Sequence, residues 1–198
     1  MYTHPFSAWY WRDASRELRD LRKLLFAALM IAMCVVLAQV PSVPLFGGAK
    51  VTWGFLARSV CAWVCGPVLG LLFAFAEDIL SFFLTGGGGY PFFPGYTLTA
   101  MAGSFVYALF LYRARITVRR IVLCKLCVNI FVNVGLNCLW SAMLYSKGYL
   151  FYLGQSLFKN LLMLPVEIVI LLTFLRIMLP VLSSAGLTPP QPTKHIPF

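Results

Sequence analysis

Residues 128–140 read VNIFVNVGLNCLW, an apolar stretch interrupted by asparagine at every fourth position. The three amides, Asn129, Asn133 and Asn137, fall on one face of a helix because that spacing is close to one helical turn. Burying an amide in hydrocarbon without a hydrogen-bond partner costs several kcal/mol. The amides therefore need partners, which are either neighbouring helices that they hold together or a polar ligand in a pocket that they line.

The composition is that of an integral membrane protein. Of the 198 residues, 61% are hydrophobic and only 11% are charged, whereas soluble chains are about a quarter charged. Each of six apolar segments is long enough to cross about 30 Å of hydrocarbon, and we place them at 24–41, 51–66, 67–84, 96–112, 120–145 and 155–180. We expect an all-α protein with one transmembrane domain over residues 1–198, of which 181–198 form a flexible tail.

The net charge of +10 is a topology signal. Basic residues precede the first segment, separate the fourth from the fifth, and recur in the tail: Arg12, Arg16, Arg19, Arg22, Lys23, Arg113, Arg115, Arg119, Arg120 and Lys194. By the positive-inside rule these regions face the cytoplasm, so we expect a multi-pass cell-membrane protein with six transmembrane helices and both termini inside. A nucleic-acid partner is disfavoured because stacking aromatics do not alternate with a soluble basic face.

On this topology, costly polar side chains from five helices gather towards the outer side of the membrane. Residues that only hold helices together should be spread over the whole depth, so clustering favours a ligand pocket. The candidate ligand-binding residues are Lys50, Arg58, Asp78, Tyr96, Thr97, Asn133, Asn137, Trp140, Lys159 and Asn160. Their chemistry suits a heteroaromatic, donor-rich head and an anionic tail. The alternative is that Arg58 and Asp78, or Lys159 and Glu167, simply neutralise each other.

The sequence shows no catalytic, metal or cofactor motif. Cys124 and Cys127 have metal-ligand spacing, but no second pair and no nearby histidine completes a site. A Walker A motif is missing, and the segments contain no recognisable nucleophile with its base. An intramembrane enzyme and a purely structural membrane protein are the weaker alternatives to a binding protein.

Two further features indicate a lid and a docking face. Loop 85–95 joins four consecutive glycines to a proline-rich aromatic stretch, which suits either a loop that closes over a ligand or an aromatic segment at the membrane interface. Ala28 and Ala32 lie four apart in the first segment, and small residues at that spacing let another helix approach closely. That helix belongs either to this bundle or to a separate membrane subunit.

The chain resembles the substrate-binding S components of energy-coupling factor (ECF) vitamin importers, and within them the folate-specific branch. The resemblance is carried by VTWGFLARSVCAWVCGPVLGLLFAFAEDILSFFL (51–84), YPFFPGYTLTA (90–100), VNIFVNVGLNCLWSAMLY (128–145) and LFKNLLMLPVEIVILL (157–172). FFPGYTL, KNLLMLPVEI and the asparagine repeat ending in Leu-Asn-Cys-Leu-Trp are the most specific parts.

The resemblance implies a six-helix S component with a vitamin pocket on its outer side. It also implies that Ala28 and Ala32 contact a transmembrane coupling subunit and that two separate ATPase subunits hydrolyse ATP. The expected ligand is folate or a reduced folate, with another vitamin or heteroaromatic metabolite as the alternative. The pterin-like head is then expected at Asp78, Asn133, Asn137 and Trp140, and the glutamate tail at Lys50, Arg58 or Lys159.

Overall fold

The computed structural model describes residues 8–40, 43–44, 50–51, 53–85, 92–145 and 148–188. Within these ranges the regular secondary structure is helical, apart from one antiparallel pair of two-residue strands, β1 (Val43–Pro44) and β2 (Lys50–Val51). The stretches that are long and apolar enough to cross a membrane are Leu21–Gln39, Gly54–Thr85, Val118–Leu144 and Tyr149–Ser184. The predicted all-α membrane class is therefore confirmed.

The helices follow one another as α1 (Ala8–Arg16), α2 (Leu21–Gln39), α3 (Gly54–Thr85), α4 (Pro94–Leu111), α5 (Val118–Cys127), α6 (Asn137–Tyr145) and α7 (Tyr149–Ser184). A 3₁₀ turn, Glu17–Arg19, links α1 to α2, and a π-helical segment, Val128–Leu136, links α5 to α6. The predicted tail is still helical as far as Ser184, while 189–198 and the glycines at 86–89 lie outside the described residues.

Two predicted segments, 51–66 and 67–84, occupy the two halves of α3. Arg58 in the first half binds Glu77 in the second at 2.8 Å, although a straight helix would hold residues so far apart in sequence about 28 Å apart. The halves therefore fold back against each other, and the reversal occurs at Gly66, whose φ of 75° and ψ of −175° are not helical.

Glycine is required at this reversal for two reasons. Its backbone conformation is one that residues with a Cβ adopt only under strain. A Cβ at Gly66 would also lie 2.9 Å from Cε2 of Tyr112. Pro67 follows directly, and because it lacks an N–H group it helps to end the first helix of the pair.

We expect Gly66→Ala to lower the free energy of unfolding by about 1–3 kcal/mol, because the methyl group imposes backbone strain and meets the Tyr112 ring. Gly54→Ala is the matched control, since no atom lies within 4 Å of the new Cβ there and alanine favours a helix over glycine. Denaturant unfolding in detergent micelles measures both variants. Equal stability of the parent and Gly66→Ala would contradict the strained reversal.

The buried core lies between α2, α3, α4, α5 and α7. Helices in a membrane are held by close packing and interhelical hydrogen bonds, since lipid tails are as apolar as leucine. At one close contact of α3 and α4, the Ser104 hydroxyl donates to the Gly70 carbonyl at 2.9 Å. Ala27 of α2 faces this core, whereas Ala28 and Ala32 are exposed.

Candidate functional site

A polar cavity of about 220 Å³ lies between α3, α4, α5 with its π-helical continuation, and α7. Its charged and amide wall residues are Arg58, Asp78, Lys125, Asn133, Asn137 and Glu167. Its aromatic wall residues are Phe55, Tyr96 and Tyr107. We call this the central cavity.

Arg58 is paired with a buried acid behind the cavity wall. Its Nε donates to Glu77 Oε2 at 2.8 Å and its Nη2 to Glu77 Oε1 at 3.1 Å, so the contact is bidentate. The Glu77 side chain is only 4% exposed. The predicted alternative pair, Arg58 with Asp78, is therefore wrong, because the neighbouring acid on the same helix takes the guanidinium.

Asp78 is thereby left as an acceptor in the central cavity. Its Oδ2 accepts a hydrogen bond from Thr97 Oγ1 at 2.7 Å, and Thr97 itself is buried behind the wall. Within the described ranges Asp78 forms no ion pair. A carboxylate that accepts one hydrogen bond from a neutral hydroxyl still has its second oxygen available for the N–H groups of a ligand.

A second ion pair lies at the α5 and α7 side of the cavity. Lys125 Nζ is 3.2 Å from Glu167 Oε2 and 3.3 Å from the Tyr107 hydroxyl. The same ammonium lies 4.1 Å from the centre of the Phe55 ring, a cation–π contact. The predicted alternative pair of Lys159 with Glu167 is therefore wrong.

The three asparagines differ in role: some hold helices together, and some line the pocket. Asn129 Nδ2 donates to Glu167 Oε2 at 3.4 Å, and Asn133 Nδ2 donates to Asn129 Oδ1 at 2.8 Å. Asn129 thus ties the π-helical segment to α7, and Asn133 holds the Asn129 amide and also borders the cavity. Asn137 makes no hydrogen bond from its side chain within the described residues and faces the cavity.

Trp140 supports the wall from behind and does not line the central cavity. Its Nε1 donates to Thr99 Oγ1 at 3.0 Å, and Thr99 is a wall residue. Its ring meets Phe93 edge-on, with 5.7 Å between centroids. Gly95 makes room for this contact, since a Cβ there would lie 2.7 Å from Trp140 Cδ2.

A larger groove of about 350 Å³ lies between α6 and α7. Its polar wall includes Asn137, which also borders the central cavity, together with Ser141, Gln155, Ser156 and Lys159. Lys159 has no acidic partner among the residues that the structure describes. We call this the α6–α7 groove.

The structure distributes the predicted residues over these two spaces. Those on the central cavity wall are Arg58, Asp78, Tyr96, Asn133 and Asn137. Lys159 lines the α6–α7 groove, and Asn160 lies behind it, donating to the Ser156 carbonyl at 2.8 Å. Thr97 and Trp140 support wall residues, and the side chain of Lys50 lies outside the described part of the structure.

The sequence analysis missed Lys125 and Tyr107, and its candidate ligand-binding residues did not include Glu167. A signal for Lys125 was present, because it lies four residues before Asn129 and continues the same stripe towards the start of the helix. This segment was interpreted instead through Cys124 and Cys127, which have the spacing of metal ligands.

Residues 22–175 match the family model of the ECF transporter, substrate-specific component. The chain is 24% identical over 156 residues to the folate transporter FolT of Clostridium novyi. That alignment covers 78% of this chain and 88% of the relative. It is 26% identical over 155 residues to the folate transporter FolT of Leuconostoc mesenteroides, and that alignment covers 75% of this chain and 82% of the relative.

A solved structure, FolT bound with folic acid, superposes with a TM-score of 0.67 at 23% identity. The alignment covers 77% of this chain and 91% of the other, so the two proteins share a fold. The family match extends from the start of α2 to near the end of α7 and includes every residue of the central cavity. This chain belongs to the family of substrate-specific components of ECF transporters.

Proposed function

We propose that this protein is the membrane-embedded subunit that binds folate for an ECF-type importer. The observation that carries the proposal is a polar cavity, lined by helices, in which Asp78 has no ion-pair partner among the described residues. The two relatives described above are named folate transporters. A pterin ring carries amino and ring N–H donors on one edge, and a carboxylate accepts such donors in pairs.

The charges favour one orientation of the ligand. Arg58 and Lys125 are each paired with an acid, so in the described part of the chain Asp78 is the charge of the central cavity that has no ion-pair partner, which suits the pterin head. The α6–α7 groove offers Lys159, which suits the carboxylates of the glutamate tail. Asn137 borders both spaces, which supports a contact with the middle of the ligand. Arg58, one of the predicted tail contacts, is already neutralised by Glu77.

Titration calorimetry of the purified protein with folate, riboflavin, thiamine and biotin tests the proposal. We expect folate to bind most tightly. Tight binding of another vitamin would make the chain an S component of different specificity, and no binding at all would favour a structural role.

Lys159→Met should lower the affinity for folate about tenfold or more, since a hydrogen bond to a charged group contributes about 1.5–3 kcal/mol. A pterin without the glutamate should bind with the parent's affinity. Equal losses for both ligands would contradict the orientation.

We further propose six transmembrane segments with both termini in the cytoplasm. These segments are α2, the two halves of α3, α4, the continuous helix from α5 to α6, and α7. The contact between Arg113 and Asp13, at 2.7 Å, supports this topology because it brings the basic N-terminal region and the basic loop after α4 to the same end of the bundle. Such charge is typical of the cytoplasmic side.

The exposed face of α2 supports docking on a membrane partner. Ala28 and Ala32 are both exposed there, and close helix contact depends on their small size. We propose that they contact the transmembrane coupling subunit and that ATP hydrolysis takes place on separate ATPase subunits.

The double variant Ala28→Leu, Ala32→Leu should keep the parent's folate affinity and lose at least about tenfold in cellular uptake, because the added bulk holds the partner helix away. Copurification of the coupling subunit should fall in parallel. Ala38→Leu, at another exposed alanine of α2, is the matched control. Loss of ligand binding with the partner retained would mean that the two alanines pack inside the bundle.

A further inference from the structure

The short helix α1 precedes the region that the family model matches, which begins at residue 22. It is nevertheless fastened to the bundle. Tyr10 is fully buried and its hydroxyl donates to the Ala108 carbonyl of α4 at 3.1 Å. Burial raises the pKa of Tyr10, so the hydroxyl stays protonated as a donor.

The acids of this region are turned towards the bundle. Asp13 binds Arg113 Nη1 at 2.7 Å. Glu17 accepts from the Tyr112 hydroxyl at 2.8 Å and pairs with both Lys23 and Arg113. These carboxylates are therefore neutralised on the inner side and do not offset positive charge on the outer side.

The outer side of this region is aromatic and basic. Trp9 and Trp11 are 62% and 42% exposed, and the Arg12 guanidinium lies 4.9 Å from the centre of the Trp9 ring. The exposed arginines that continue this side are Arg16, Arg19 and Arg22. Asp20 is the exposed acid beside them, and its carboxylate caps α2 by accepting from the Arg22 backbone N–H at 3.0 Å.

The contacts of Trp11 support a position of this face near the membrane surface. Its ring stacks on Phe105 of α4, with 6.1 Å between centroids and 29° between planes. Tryptophan is enriched where a protein crosses from hydrocarbon to water. Arginine forms strong, often bidentate hydrogen bonds with phosphate oxygens.

We propose that the outer face of α1, formed by Trp9, Trp11, Arg12 and Arg16, binds anionic phospholipid headgroups. The charge complementarity favours lipid, because a cationic face beside a membrane helix attracts anionic headgroups. Docking on the coupling subunit is less well supported, since α1 lies outside the region that matches the substrate-specific components as a family.

Hydrogen–deuterium exchange of the full-length protein in nanodiscs tests this. One set of discs contains phosphatidylcholine alone, and in the other part of it is replaced by phosphatidylglycerol. We expect the anionic lipid to slow amide exchange in residues 8–20 by about tenfold. Arg12→Gln with Arg16→Gln should abolish most of that slowing. Arg115→Gln with Arg119→Gln, two exposed arginines before and at the start of α5, should preserve it.

Three results would overturn the proposal. Exchange that is the same in both lipids would show that α1 does not bind the anionic headgroup. Equal effects of the two double variants would assign the slowing to the general charge of that side of the protein. Slowing that appears only after the coupling subunit is added would make the face a protein-docking surface.

Discussion

Replacing Glu77 by leucine should lower the free energy of unfolding by about 3–5 kcal/mol, because it leaves Arg58 without its bidentate counterion within the helix bundle. The Glu77 side chain is 4% exposed and receives two hydrogen bonds from the guanidinium. This contact also joins the two halves of α3 that Gly66 reverses. Denaturant unfolding in mixed micelles, followed by circular dichroism, measures the loss.

The double variant Arg58→Met, Glu77→Leu separates the cost of a lone charge from the value of the pair. Replacing both partners of a buried ion pair by apolar residues is often neutral or stabilising, so the double variant should recover most of the parent's stability. If it unfolds as easily as Glu77→Leu alone, packing rather than charge governs this position. A single variant as stable as the parent would contradict the buried pair altogether.

Replacing Lys125 by methionine should have an effect of similar size, about 3–5 kcal/mol. The Lys125 side chain is 2% exposed, and its ammonium holds Glu167 at 3.2 Å. Without it, the remaining polar contact of Glu167 with the described residues is the weaker hydrogen bond from Asn129 at 3.4 Å. Methionine preserves most of the volume and removes the charge, so the loss reports mainly on the uncompensated acid.

Adding Glu167→Gln to Lys125→Met should restore stability, and folate titration of this double variant then shows what the pair does. Retained affinity would mean that the pair only positions the cavity wall. Lost affinity in a stable protein would mean that Lys125 or Glu167 contacts the ligand directly. A Lys125→Met variant that unfolds like the parent would contradict the ion pair.

Much of the site was predictable because its features repeat along a helix. The stripe of Asn129, Asn133 and Asn137 follows from a spacing of four, and the break near Gly66 and Pro67 follows from backbone chemistry. Their division into roles was not predictable. Asn129 and Asn133 bond to each other, and Asn137 borders both the central cavity and the α6–α7 groove.

Composition and local pattern were enough to predict an all-α membrane protein, since hydropathy and helical period depend on neighbours in sequence. The pairing of charges depended on the folded chain. Glu77 and Asp78 are adjacent, yet successive residues point about 100° apart around a helix. How α3 folds back at Gly66 therefore determines that Glu77 neutralises Arg58, while Asp78 remains available in the central cavity.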